Sequence, residues 1–183
     1  TCTDSVVYIP SMYEGLPVTD IPNDAFGNCT NLTTIHIPDS VMRIGYNAFG
    51  GCISLTSIEI SDSVTTISDE TFADCTSLES IVIGKNVAWI SRTMFRGCNS
   101  LENITIADDN AHYKSIGGNL YTKDGKELMS YSHLNETDTS FIFLPDELEI
   151  IHENAFAGNT NLQMLVIPLN VRTIGNNAFK GCT

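Results

Sequence analysis

Six cysteines offer this chain its richest chemistry, as nucleophiles, metal ligands or disulfide partners, and their spacing decides among those uses. Cys29, Cys52, Cys75 and Cys98 stand 23 residues apart. No Cys-x-x-Cys occurs, and none of the four histidines stands in a zinc-like spacing with a cysteine. A cysteine nucleophile needs a partly exposed thiol beside a base, whereas these thiols recur at one position of a repeat. Asp108-Asp109-Asn110 has the composition of a calcium loop, but the plainer reading is a solvated turn. Asn28, Asn31, Asn103 and Asn135 begin N-glycosylation sequons, as chance produces in a chain rich in asparagine and threonine. Gly-rich phosphate loops, nucleophile elbows and paired acidic motifs are missing, so the sequence indicates no enzyme and no cofactor or metal.

The cysteine interval belongs to a wider pattern. Phe26, Phe49, Phe72 and Phe95 keep it, as do Phe156 with Phe179 and Leu32, Leu55, Leu78 and Leu101. A fixed period of this length marks a solenoid, in which each repeat is one coil stacked on the next. One coil reads Val41-x-x-Ile44-Gly45-x-x-Ala48-Phe49-x-x-Cys52-x-x-Leu55-x-x-Ile58-x-Ile60. The Ile-x-Ile segment is β-branched with period two and predicts a short strand. Proline closes that strand at Pro10, Pro38, Pro145 and Pro168. Val-x-x-Ile packs a second side of the coil, and Asn-Ala-Phe-Gly-Gly suggests one helical turn. No single coil can offset its own ordering entropy, so stability must come from stacking.

Stacking settles the thiols. Equivalent residues on adjacent coils lie about 4.8 Å apart with parallel Cα–Cβ bonds, whereas a disulfide wants converging Cβ atoms about 3.8 Å apart. Asn159 occupies the same column. The reading is buried free thiols, with Cys2, outside the column, left open.

Residues 1–183 read as one repeat domain: an atypical first coil over 1–25, regular coils over 26–106, an insertion over 107–138 and further coils over 139–183. Within the insertion, Asp124-Gly125 between Leu120-Tyr121-Thr122 and Leu128-Met129 predicts a β-hairpin with positive φ at both turn residues. That hairpin is expected to lean on the flank or rim. The chain stops at Thr183 before the strand of its last coil, which suggests a fragment of a longer protein, or self-association through that end; a monomer is the leading expectation. No apolar run is long enough to span a bilayer, so no membrane insertion is expected. A net charge of −13, with only nine basic residues, repels phosphate backbones and anionic membranes and speaks against nucleic acid.

The motif Ala-Phe-x-x-Cys-x-x-Leu-x-x-Ile-x-Ile-Pro-x-x-Val-x-x-Ile-Gly resembles the BspA-like, or Treponema-type, leucine-rich repeat. Tyr13–Ile21 is similar to this family's usual lead-in, and Ser115–Gly125 to its recurrent hairpin insert. Ser61, Gly84 and Ala107 in place of proline, and Met94 in place of alanine, are local departures. The resemblance implies a right-handed curved solenoid with a parallel β-sheet on its concave face and short irregular or one-turn helical segments on the convex side. It also implies a secreted or cell-surface protein of host-associated bacteria or mucosal protists, acting in adhesion to matrix proteins such as fibronectin and fibrinogen.

If the Ile-x-Ile strands line a concave face, alternation exposes two columns. One is Tyr8, His36, Glu59, Val82, Thr105, Phe143 and Val166; the other includes Asn103, Phe141 and Met164. The early coils are then polar outward, and the last two strands group Phe141, Phe143, Met164 and Val166 as a candidate partner-binding patch. The hairpin could instead fold back and cover it. A host or neighbouring-cell protein is the leading partner; a glycan-binding accessory module and a structural spacer are the alternatives.

Overall fold

The computed structural model describes residues 2–132, 142–160, 162 and 164–182, and it is a parallel β-solenoid. Each coil contributes two short strands, one to each of two walls. The first wall carries β1 (Val6–Tyr8), β5 (Thr34–His36), β7 (Ser57–Ile60), β9 (Ser80–Ile83) and β11 (Asn103–Ile106), resuming with β15 (Ile142–Phe143) and β17 (Leu165–Val166). The second carries β4 (Asp20–Ile21), β6 (Arg43–Ile44), β8 (Thr66–Ile67) and β10 (Trp89–Ile90), then β16 (Ile150–Ile151) and β18 (Thr173–Ile174). The Val-x-x-Ile segment is thus itself a sheet-forming edge of the coil. Register follows the repeat without slippage: Ile58 opposes Ile81, Ile81 opposes Ile104, and Ile44 opposes Ile67.

Between the walls lies the core. Phe26, Phe49 and Phe72 stack with ring centroids 5.4 and 5.5 Å apart and planes within 4° of parallel, and Phe95 follows at 6.1 Å. The thiols stand beside this ladder and are free. Three of them bond back one coil: Cys52 Sγ donates to the Phe26 carbonyl at 3.1 Å, Cys75 to Phe49 at 3.1 Å, and Cys98 to Phe72 at 3.0 Å. Cys2 packs against the core at the amino-terminal end, near Cys29. Asn159 is buried in the cysteine position of its own coil.

The expected helical turn is not there; no helix occurs among the described residues. Asn47 has φ 51° and Gly51 φ 71°, so two left-handed residues bracket Ala48-Phe49-Gly50 and stop a helix before it closes. Asp24 with Asn28, and Glu70 with Asp74, repeat the device, which explains the Asn, Asp and Gly recurring at those positions. Alternate amides instead bond to the next coil: Phe49 N–H donates to Thr71 O at 2.9 Å and Gly51 N–H to Ala73 O at 2.7 Å, while Gly50 and Cys52 N–H close turns within their own coil. Near the amino terminus, β2 (Met12–Tyr13) and β3 (Leu16–Pro17) form a small hairpin where the sequence reads as a longer loop. Glu14 and Gly15 both take positive φ in its two-residue turn.

The insertion differs most from expectation. It is a three-stranded meander, β12 (Tyr113–Ile116), β13 (Asn119–Thr122) and β14 (Glu127–Ser130). Rather than leaning on a rim, β14 pairs in parallel with β16 and so founds the second half of the second wall. Only Gly125 of the Asp-Gly pair has positive φ; the Asp124 carboxylate closes the turn by accepting from Thr122 Oγ and Lys126 N. Leu120 and Met129 enter the core of the first coils, while Tyr121 and Leu128 enter a second core with Leu148, Ile151 and Phe156. The hairpin is therefore a septum buried on both faces, which is why its strands carry adjacent apolar residues.

Two buried anchors hold it. Asn110 donates from Nδ2 to Gly84 O and Val87 O, at 3.0 and 3.1 Å, and accepts at Oδ1 from the N–H groups of His112 and Tyr113. That residue is a structural knot, not part of a solvated turn. Tyr131 takes the place of a coil phenylalanine: its ring stacks on Phe156 at 4.6 Å, and its N–H donates to Ala155 O at 2.7 Å, as Phe49 does to Thr71.

Asn110→Ala leaves two carbonyls and two amides short of partners, each costing about 1–3 kcal/mol where it stays dry. Urea denaturation should show a loss of several kcal/mol, while Asp109→Ala, one residue earlier, stays within about 0.5 kcal/mol. Burial pushes the Cys52 and Cys75 thiols up to about 12 from an ordinary 9.0. Below pH 9 both folded and unfolded thiols are protonated; above it only the unfolded chain releases the proton. Stability therefore falls as pH rises from 9 toward 12, by at most about 1.4 kcal/mol per pH unit for each thiol. Melting curves of wild type and Cys75→Ala between pH 8 and 11 should converge as the pH rises.

Candidate functional site

Alternation along the first wall turns one side chain in two away from the core. Register places Tyr8 beside His36, Glu59 beside Val82, Val82 beside Thr105, and Phe143 beside Val166. Ser57, Ser80 and Asn103 form the parallel column. The two columns read from sequence are therefore contiguous surfaces within each sheet segment. Phe141 lies outside the described residues.

Chemically the face has two ends. At the amino-terminal end, Tyr8, 72% exposed, stacks on His36 with centroids 4.2 Å apart and planes 11° from parallel. This aromatic step departs from the polar surface expected of the early coils, because a stacked pair spans Tyr8 and His36 across the wall. Beyond it a shallow recess of about 240 Å³ is bordered by His36, Asp39, Glu59 and Ser61. At the other end, Phe143 is 77% exposed on β15, with Met164 and Val166 also exposed on and beside β17. Ile167 and Leu169 extend this apolar surface past the strand. The described part of the insertion runs in the second wall.

Several groups that could do chemistry elsewhere are engaged in structure. Thiols donate to carbonyls, Thr71 Oγ bonds Ser68 O at 2.8 Å, and the buried His152 pairs through Nε2 with Glu127 Oε2 at 2.5 Å. Among the described residues, no three His, Cys, Asp or Glu side chains are placed to share a metal ion. Sequence reasoning missed Trp89, whose indole stands outward on the second wall at 61% exposure. Its signal was available: Arg43 and Thr66 precede it in that column, so an outward position was already marked.

Two walls of stacked parallel strands around a phenylalanine, leucine and cysteine ladder, with a side-chain array displayed outward, define a leucine-rich-repeat solenoid. The chain belongs to the BspA type leucine-rich repeat family, whose model matches six copies over residues 15–124 and 126–183. Leucine-rich repeats of this kind are generally protein-interaction modules. Among solved structures, a leucine-rich repeat protein from Eubacterium ventriosum is similar, at 24% identity and a TM-score of 0.78, over 97% of this chain and 51% of that one. The pneumococcal vaccine antigen PcpA is similar at 18% identity and a TM-score of 0.71, over 97% and 58%. A leucine-rich cell surface protein from Faecalibacterium prausnitzii gives 22% and 0.57, over 98% and 67%. The chain thus spans little more than half the length of the first two. No curated protein matches it.

Because the side chains of Phe143 and Val166 are largely exposed on the outward face of their strands, replacing both with serine should leave the fold intact. Thermal unfolding of Phe143→Ser/Val166→Ser is expected to stay within about 1 kcal/mol of wild type, with reduced binding of an apolar dye; a collapse in stability would show that the patch is covered.

Proposed function

We propose that this chain is a non-enzymatic interaction module of a secreted or cell-surface bacterial protein, adhering to a protein of the host or of a neighbouring cell. The observation that carries this reading is the exposed group Phe143, Met164 and Val166 on and beside the paired strands β15 and β17. Side chains of this kind form the anchors of protein interfaces, and a wall with fixed register holds them without loss of order on binding. Solenoids commonly use such extended faces for binding. A surface location is supported by two relatives described as a cell surface protein and a vaccine antigen. The resemblance in sequence directs the first trial to matrix proteins. The net charge of −13 favours partners with basic surfaces.

The test is surface plasmon resonance against immobilised fibronectin and fibrinogen, with a glycan array in parallel. Wild type should bind a protein target saturably, and Phe143→Ser/Val166→Ser should weaken that binding by about tenfold or more, equivalent to at least ~1.4 kcal/mol. Unchanged binding by the folded double variant removes the patch from the interface, and binding to glycans alone overturns the protein-partner reading.

A further inference from the structure

The second wall is interrupted where the insertion begins. Its first half ends at β10, because β12 runs into an antiparallel meander instead of adding the next parallel strand. The Ile90 N–H, which faces this missing neighbour, is instead bonded by the Tyr113 hydroxyl at 3.1 Å. A side chain thus satisfies the open edge, as edge strands require, and leaves the space beside it unfilled. The result is an open cleft of about 340 Å³ between β10 and β14, at the small end of ligand pockets.

Three features of its lining point to one kind of occupant. Trp89 borders the cleft and holds a large indole in water, where the coils below carry Arg43 and Thr66. Asp69, Glu127 and Glu153 bring three carboxylates to the same lining, against the single guanidinium of Arg92. Asp69 accepts from Ser91 Oγ, and Glu127 is held by His152, so both are positioned; Glu153 has no hydrogen-bond or ion-pair partner among the described residues. An indole face attracts a cation within about 6 Å of its ring, and more strongly where water is partly excluded. The carboxylates lining the same cleft supply the opposite charge, and the acidic balance of the chain draws cations toward it.

We propose that the cleft between β10 and β14 receives a lysine or arginine side chain from a basic segment of a protein partner, with Trp89 as the platform and Asp69, Glu127 and Glu153 as its anionic ring. This rests on the chain being a protein-interaction module but not on the Phe143 patch, from which the cleft is distinct: it lies on the second wall.

Trp89 is the chain's one tryptophan, so its emission reports the cleft directly. The full chain is titrated with an acetylated, amidated pentapeptide bearing a central arginine. Parallel arms use its lysine and glutamate counterparts, cellohexaose and chitohexaose. The arginine and lysine peptides should shift Trp89 emission saturably, and Asp69→Asn/Glu153→Gln should weaken them about tenfold. Asp4→Asn/Glu14→Gln, which removes the same charge far from the cleft, should leave binding unchanged, as should Phe143→Ser/Val166→Ser. A response to the glutamate peptide of equal size, a response to the sugars alone, or no saturable response overturns the proposal. So does equal weakening by Asp4→Asn/Glu14→Gln, which would mark bulk attraction, or loss through Phe143→Ser/Val166→Ser. Failure of matrix-protein binding leaves this result untouched, so the two readings fail separately.

Discussion

The structure depends on one constraint: residues 23 apart must meet in register, coil upon coil. A coil closes its own turns, as Cys52 N–H does on Phe49 O, but it is tied to its neighbours both ways: the Phe49 amide reaches Thr71 in the next coil and the Cys75 thiol reaches back to Phe49. With parallel strands about 4.8 Å apart, only side chains that stack on their own copies fill the interior. Flat rings do so, and the phenylalanines lie almost parallel at 5.4 to 6.1 Å. A thiol does so while also supplying a donor. The repeat is thus a packing rule before it is a sequence pattern.

The same rule explains what could be read from the sequence. Each coil restates its inward set at Phe, Cys, Leu and Ile, so fold, thiol chemistry and outward columns were legible from period alone. The left-handed residues were not, because Asn47-Ala48-Phe49-Gly50-Gly51 has the composition of a helical turn, and only backbone angles at Asn47 and Gly51 exclude one. Tyr131 was missed because it stands 25 residues before Phe156 and carries none of the usual neighbours. Its role depends on a ring stack and one amide bond that only the folded chain brings together. The septum escaped for a related reason: Leu120-Tyr121 and Leu128-Met129 read as simple hairpin strands until two cores lie on either side.

Sites follow the same division. The outward face of the first wall is periodic, so alternation finds Phe143 and Val166. The cleft beside Trp89 is aperiodic; it exists because a strand that the repeat would supply is replaced by a tyrosine hydroxyl. Pattern shows where a solenoid displays side chains, and the break in pattern shows where it makes a concavity. Phe143 and the cleft open on different walls, so one molecule offers an apolar surface and an acidic recess at once.

The septum also has a mechanical consequence. A continuous array shares load along its whole length, each coil gripping the next through the same ladder of rings and amides. Here the apolar interior is divided, with Leu120 and Met129 on one side and Tyr121 and Leu128 on the other. Nearest-neighbour coupling within each array is left intact, while among the described residues three short strands, Asn110 and Tyr131 stand between the arrays. The junction is aperiodic where the arrays are periodic, so a change at Asn110 or Tyr131 falls on the boundary between two cores rather than inside one.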